Sequence, residues 1–211
     1  MPLWNGAVEL LREAIFAYAQ VSHGNLAMGI IGVTFLARMA MLPLTLRVSR
    51  AAAAHQEAMR RVQPELDAAR ARFRHDPRRA AQETRRILAR EGLSMVPAGG
   101  CVGALLQAPV LLALFSAVRQ ASAAGGSFLW IRDISMPNLV LAGIVTALTT
   151  ASMSVGVQSP GPSKGLLAAL PAILTMIALS KMAAGIGLYW GVSSAIGIGQ
   201  GLLVRRLQGR P

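Results

Sequence analysis

Residues 26–46, LAMGIIGVTFLARMAMLPLTL, are long and apolar enough to cross a bilayer, yet they carry an arginine, Arg38, well inside the stretch. A spanning helix needs about 20 mostly apolar residues. A guanidinium stays charged in proteins, and an arginine at the centre of such a helix costs insertion roughly 2.5–3.5 kcal/mol. Neighbouring leucines offset that cost, so the helix inserts, but the charge needs a reason. Arg38 lies nine residues before Arg47, near the cytoplasmic boundary. In a straight helix that is roughly 13 Å of depth, and snorkelling covers only part of it. We therefore expect Arg38 to face a water-filled cavity on the cytoplasmic side.

Four further apolar stretches follow, at about 95–118, 138–157, 165–180 and 183–204. Only 14% of residues are charged, against about a quarter in soluble domains, and mean hydropathy is +0.49. Of 21 Lys and Arg, 12 fall between Arg47 and Arg90, and six of the nine acids fall between Glu57 and Glu91, a polar block of net +6. Nucleic-acid binding is the obvious thought for so basic a chain, but no aromatic interleaving or nucleic-acid motif accompanies the charge. The positive-inside bias of a cytoplasmic segment explains it better. With the block, Lys164 and the C-terminal arginines inside, the inner segments carry +10 and the outer ones +1. The expected fold is an all-α membrane protein of five transmembrane helices, N-terminus out and C-terminus in, with a cytoplasmic helical hairpin between the first and second spans.

The expected divisions are an external amphipathic segment at 1–25, the first span at 26–47, the hairpin at 48–92, spans two to five within 95–204, and a short basic tail at 205–211. The N-terminal segment lacks the basic and apolar regions of a signal peptide. Its apolar positions Val8, Leu11, Ile15, Phe16 and Ala19 predict a short interfacial helix over 6–20. Residues 22–25, Ser-His-Gly-Asn, break it and can cap the next helix. Pro43 kinks the first span or begins its exit, and Pro64 should bend or interrupt the first arm of the hairpin. Asp76 and Pro77 suit the cap and first position of the second arm, about 78–91, with Gly92 closing it. Phe128, Leu129 and Trp130, in an outer connection at 119–137, suit an interfacial anchor.

No Asp or Glu lies in any of the five spans. Arg38 therefore has no intramembrane carboxylate to neutralise it, and the carboxylate relays common in proton-coupled transporters are absent. Neither HExxH nor GxSxG occurs, and His23, His55 and His75 lie outside the spans without metal spacing, so neither covalent chemistry nor a metal site is expected. The single cysteine, Cys101, permits no intrachain disulfide. No cofactor is expected. Gln107 and the hydroxyl-rich third span (Thr146, Thr149, Thr150, Ser152, Ser154) could line a cavity with Arg38 or bond between helices. Gly187, Gly191, Gly197 and Gly201 fit close helix packing rather than a nucleotide fingerprint.

In order and spacing, several local motifs resemble the YidC family of membrane protein insertases. They are Arg38 followed by Leu42-Pro43-Leu44-Thr45; Gln63-Pro64-Glu65-Leu66; Pro97 through Cys101, then Gln107-Ala108-Pro109; FLWIRDISMPN at 128–138; and Ala184-Gly185, Leu188-Tyr189-Trp190 and Gln200. The resemblance covers about 26–206. This chain departs from the family pattern at Val96, Gly103 and Ala183, and its fourth span is short. This chain is also expected to lack the large external domain and the long basic tail seen in the family, and the resemblance implies a multi-pass insertase and chaperone of the bacterial plasma membrane. It implies a hydrophilic groove open to the cytoplasm, with Arg38, Thr34, Gln107, Thr146, Thr150, Tyr189 and Trp190 as groove residues. Implied partners are nascent membrane-protein substrates and the lipid bilayer, with the ribosome and a Sec-type translocon as further candidates. A non-catalytic assembly scaffold of the same fold is the alternative, and a small transporter a more distant one.

Overall fold

The structure, a computed structural model, describes residues 2–94, 98–155 and 166–208. Among them, all regular elements are helices: α1 (Pro2–Val21), α2 (Leu26–Ala40), α3 (Leu42–Arg72), α4 (Pro77–Arg90), α5 (Ala98–Ser122), α6 (Leu139–Val155), α7 (Leu166–Leu179) and α8 (Ala184–Gln208). The expected turn at 158–164, with Lys164, and Pro97 of the second span lie outside the described residues. Among the described residues, Ala184–Arg206 is long and apolar enough to cross a membrane, and α2 with α3 passes the same test as a bent pair. The α6 and α7 helices have 17 and 14 residues.

The α1 helix packs across α2 and α5 through Val8, Ile15 and Ala19, all buried. This is most of the predicted stripe; Phe16 turns outward instead. A side chain at Gly29 would collide with the Ile15 carbonyl, so glycine there lets the two helices cross. The chain reverses through His23 and Gly24, both at positive φ, and the Asn25 carboxamide caps α2 by accepting from the Met28 N–H at 3.2 Å.

The first span does not run straight to residue 47. The helix breaks at Met41, and α3 leaves at 59° to α2. Pro43 is the cause: it has no N–H to donate and sits in the first turn of α3. With α2 upright, the bend reduces the depth of Arg38 below Arg47 from about 13 Å to roughly 9–10 Å. The α3 helix then continues unbroken through Pro64, contrary to the expected interruption. Pro64 is exposed and so is Arg60, whose freed carbonyl lies on the water side.

The hairpin of α3 and α4 has its own small core of Val62, Leu66, Ala69, Ile87 and Leu88. Asp76 caps α4 by accepting from the Arg79 N–H at 3.0 Å, a contact worth about 1 kcal/mol. Gly92, at φ 65°, stands one position past the C-cap Glu91. It allows the Leu93 N–H to reach the Leu88 carbonyl at 2.8 Å, which closes the helix. Arg90 ties the arms together through Glu65 at 2.6 Å.

Between α5 and α6 the chain folds into a compact loop. Phe128 and Ile131 exchange backbone hydrogen bonds, Ile131 and Ile134 are buried, and Leu129 and Trp130 project outward. Hydrogen bonds from the Ser135 side chain and backbone hold the Asp133 carboxyl below its ordinary range. The loop also completes α8: the Ala184 and Gly185 N–H groups donate to the carbonyls of Met136 and Ile134 at 3.0 and 2.9 Å. Two N–H groups that a helix start leaves without partners are thus satisfied.

The most extensive helix contact is between α6 and α8. A Cβ at Gly187, Gly191, Gly197 or Gly201 would meet Leu141, Val145, Ser152 or Val155 respectively, each on α6. The glycines serve close packing, as their spacing implied. Arg205 and Arg206 belong to the last turn of α8 rather than to a separate tail, and Arg205 Nη2 donates to the Ser154 carbonyl at 2.6 Å.

Candidate functional site

Arg38 stands in the last turn of α2, where carbonyls without helical partners and the helix dipole favour a cation. Its side chain crosses to a neighbouring helix. Nε donates to Ser193 Oγ of α8 at 3.1 Å, and Ser193 lies twelve residues before Arg205. Among the described residues no carboxylate pairs with Arg38. The guanidinium is thus held by one neutral hydroxyl, with further donors available.

Those donors border a cavity of about 430 Å³ between α2, α5, α6 and α8. Its polar strip is Arg38, Ser152, Ser193 and Ser194. The facing wall is apolar: Leu111, Leu112 and Phe115 of α5, with Tyr189 and Trp190 of α8. Phe115 and Tyr189 meet edge to face, 6.4 Å between centroids. The space is amphipathic, a polar seam against an aromatic and aliphatic wall, rather than polar throughout.

Of the residues expected at the groove, Arg38, Tyr189 and Trp190 share this cavity. Thr34, one turn before Arg38, is fully buried in the helix bundle, and its hydroxyl has no partner there. Thr146 donates to Met176 Sδ of α7 at 3.8 Å, and Thr150, exposed, donates to the Thr146 carbonyl of its own helix. The Gln107 side chain lies outside the described residues. For the third span, the choice between lining and bonding therefore divides by residue. Thr149 bonds Ser194 across the α6–α8 contact at 3.0 Å, and Ser152 reaches the cavity.

Sequence reasoning missed Ser193 and Ser194. The signal existed: they lie one helical turn beyond Tyr189 and Trp190, and Gly197 one turn further, so 190, 193, 194 and 197 share a face. Gln200 continues along α8 and donates from Nε2 to Thr45 Oγ1 at 3.2 Å, fastening α8 to α3 just past the bend.

Comparison with known proteins gives this arrangement its lineage. The family model described as 60Kd inner membrane protein matches residues 17–210. The membrane protein insertase YidC of Clostridium tetani is 26% identical over 92% of this chain and 88% of its own length. That of Fusobacterium nucleatum is 31% identical over 83% of each. In Vibrio cholerae YidC, 32% identical over 90% of this chain, the match spans only 35% of the relative. The fold resembles an active YidC insertase crystal structure, with a TM-score of 0.64 at 20% identity, covering 94% of this chain and 45% of that one. The chain belongs to the 60Kd inner membrane protein family, the family of the YidC insertases.

Proposed function

We propose that this chain is a membrane protein insertase and chaperone that receives the polar tail of a substrate in the cavity beneath Arg38. The observation that carries this reading is the bonding of Arg38: a partly buried guanidinium with a neutral serine as its hydrogen-bond partner, in an open amphipathic space. An acidic or polar tail supplies the missing acceptors. At 4 Å, in an effective dielectric near 20, the attraction is about 4 kcal/mol. Water in the cavity shortens the hydrocarbon barrier. The apolar segment behind the tail leaves past Leu112, which is exposed at the cavity edge, and is driven by its own burial in lipid. No covalent step is required of the protein.

The proposed orientation is five spans, with the N-terminus outside, the α3–α4 hairpin in the cytoplasm and the cavity open to that side. The charge distribution supports it, with net +6 on the hairpin block and α8 ending in arginines. The hairpin would meet the incoming substrate, and it is the surface on which a ribosome or a Sec-type translocon would dock. In a Cys101→Ser background, cysteine at Leu129 should react with a membrane-impermeant maleimide added outside intact cells, and cysteine at His75 only after lysis. The reverse pattern would overturn the orientation.

Photocrosslinkers test the route itself. Placed at Leu112 and Ser152, they should capture a stalled single-span substrate. Capture from the hairpin alone would leave the fold as an assembly scaffold and remove the cavity from the mechanism.

A further inference from the structure

A second cavity, of about 380 Å³, lies between α1 and the C-terminal end of α5, and its lining shares no residue with the Arg38 cavity. Two arginines line it, Arg12 and Arg119, together with one carboxylate, Glu9. The Arg12 guanidinium is under-bonded. Its Nε is shielded from solvent with no hydrogen-bond partner, and its nearest acid oxygen, on Glu9, is 3.7 Å away. Arg119 has no ion-pair partner among the described residues. Asn5 and Gln120 add polar edges, and Trp4 stands at the side, 36% exposed.

In the orientation proposed above, the site lies at the lipid–water boundary. Along α5, Arg119, Ser116 and Leu112 follow one another at helical spacing, passing from charged to polar to apolar. Leu112 is 56% exposed. Trp is favoured at that boundary, and Phe16, one turn beyond Arg12 on α1, offers exposed apolar surface on the same face. A ligand bound here has an anionic group for two guanidiniums, a cationic group for one carboxylate, and an apolar part to follow α5 inward.

We propose that this cavity binds the headgroup of a zwitterionic aminophospholipid: the phosphodiester between Arg12 and Arg119, the ammonium at Glu9, and an acyl chain along Leu112. Glu9 is the discriminating feature. Two arginines alone would serve any phosphodiester, whereas a carboxylate beside them adds a contact that only an amine-bearing headgroup can make. Because Leu112 also borders the Arg38 cavity, the seated acyl chain forms part of the lipid at that cavity's edge. Placing the lipid in the outer leaflet rests on the orientation proposed above; binding itself does not, so maleimide labelling and lipid binding fail separately.

The test is native mass spectrometry of the full chain, delipidated in detergent and titrated with phosphatidylethanolamine or phosphatidylglycerol of matched acyl chains. Wild-type protein should retain one phosphatidylethanolamine in preference to phosphatidylglycerol. Arg119→Gln should weaken retention about tenfold, the scale of one charge-assisted contact, and Arg119→Lys should recover part of it. Glu9→Gln should erase the preference for the amine while binding persists. Equal retention by wild type and Arg119→Gln would overturn the site, as would an amine preference that survives Glu9→Gln. Displacement by an equal concentration of soluble glycerophosphoethanolamine would overturn a membrane lipid as its ligand.

Discussion

Arg38→Ala, reconstituted in liposomes, should insert a single-span substrate with an acidic N-terminal tail about 10- to 100-fold more slowly than wild type. The magnitude follows from the loss of one charge-assisted hydrogen bond to the tail, worth about 1.5–3 kcal/mol. A matched substrate with a neutral tail should slow far less, because it forfeits only a neutral contact. Arg38→Lys should recover part of the rate: it keeps the charge but loses the planar fork and the Nε bond to Ser193. Ser193→Ala separates positioning from charge. It frees the guanidinium without removing it, so it should act more mildly than Arg38→Ala and by a similar factor on both substrates. If Arg38→Ala inserts acidic and neutral tails at wild-type rates, the cavity is not the route.

That contrast matters because burial alone does not explain this arginine. In the proposed orientation, a snorkelling residue would extend toward the cytoplasmic boundary, which the bend at Met41 brings to within roughly 9–10 Å. Arg38 instead reaches sideways to the middle of α8. The shorter depth makes its charge less costly than a straight helix implies, and the sideways contact keeps it directed at the cavity.

Much of this was legible from the chain alone, and what was not has physical reasons. Apolar stretches, capping residues and glycine spacing are local signals. They located an apolar helix in each of the five expected stretches, the first of them ending at Ala40, together with the Asp76 cap and the glycine face of α8. The bend was half legible. Pro43 marked a break, but its angle depends on what α3 leans against, including the Gln200–Thr45 bond between residues 155 positions apart. The site was legible where one residue type carried it. Arg38 is conspicuous as a charge in an apolar run, and Tyr189 and Trp190 as aromatics. Serines and threonines are not conspicuous, because each hydroxyl has a carbonyl of its own helix within reach. Thr150 takes that local option, Thr149 the cross-helix one, and Ser152 borders the cavity. Only packing decides among them.

Among the glycines of the α6–α8 contact, the largest effect on stability should come from Gly201→Ala. In an unobstructed helix, glycine to alanine gains about 0.5–1 kcal/mol from backbone entropy. Gly199 is such a position: a Cβ there meets nothing within 4 Å, so Gly199→Ala should raise the thermal midpoint in detergent or leave it unchanged. At Gly201 a Cβ would lie 2.8 Å from Val155 Cγ1 and 3.1 Å from the Val155 carbonyl oxygen. The methyl can rotate away but the backbone cannot, so α6 and α8 must separate. Overpacking of this kind costs about 1–3 kcal/mol, which outweighs the entropic gain and should lower the midpoint, more so for Gly201→Val. The separation would also strain the neighbouring bond from Arg205 to the Ser154 carbonyl. Gly197→Ala should behave differently. Its Cβ would press chiefly on Ser152 Oγ, at 2.7 Å, the end of a side chain that can change rotamer. Because Ser152 and Gly197 both border the Arg38 cavity, that variant should lose insertion rate while keeping most of its thermal stability. A Gly201→Ala protein as stable as Gly199→Ala would mean that α6 and α8 are not held at the separation described. The cavity between them would then lose its fixed wall.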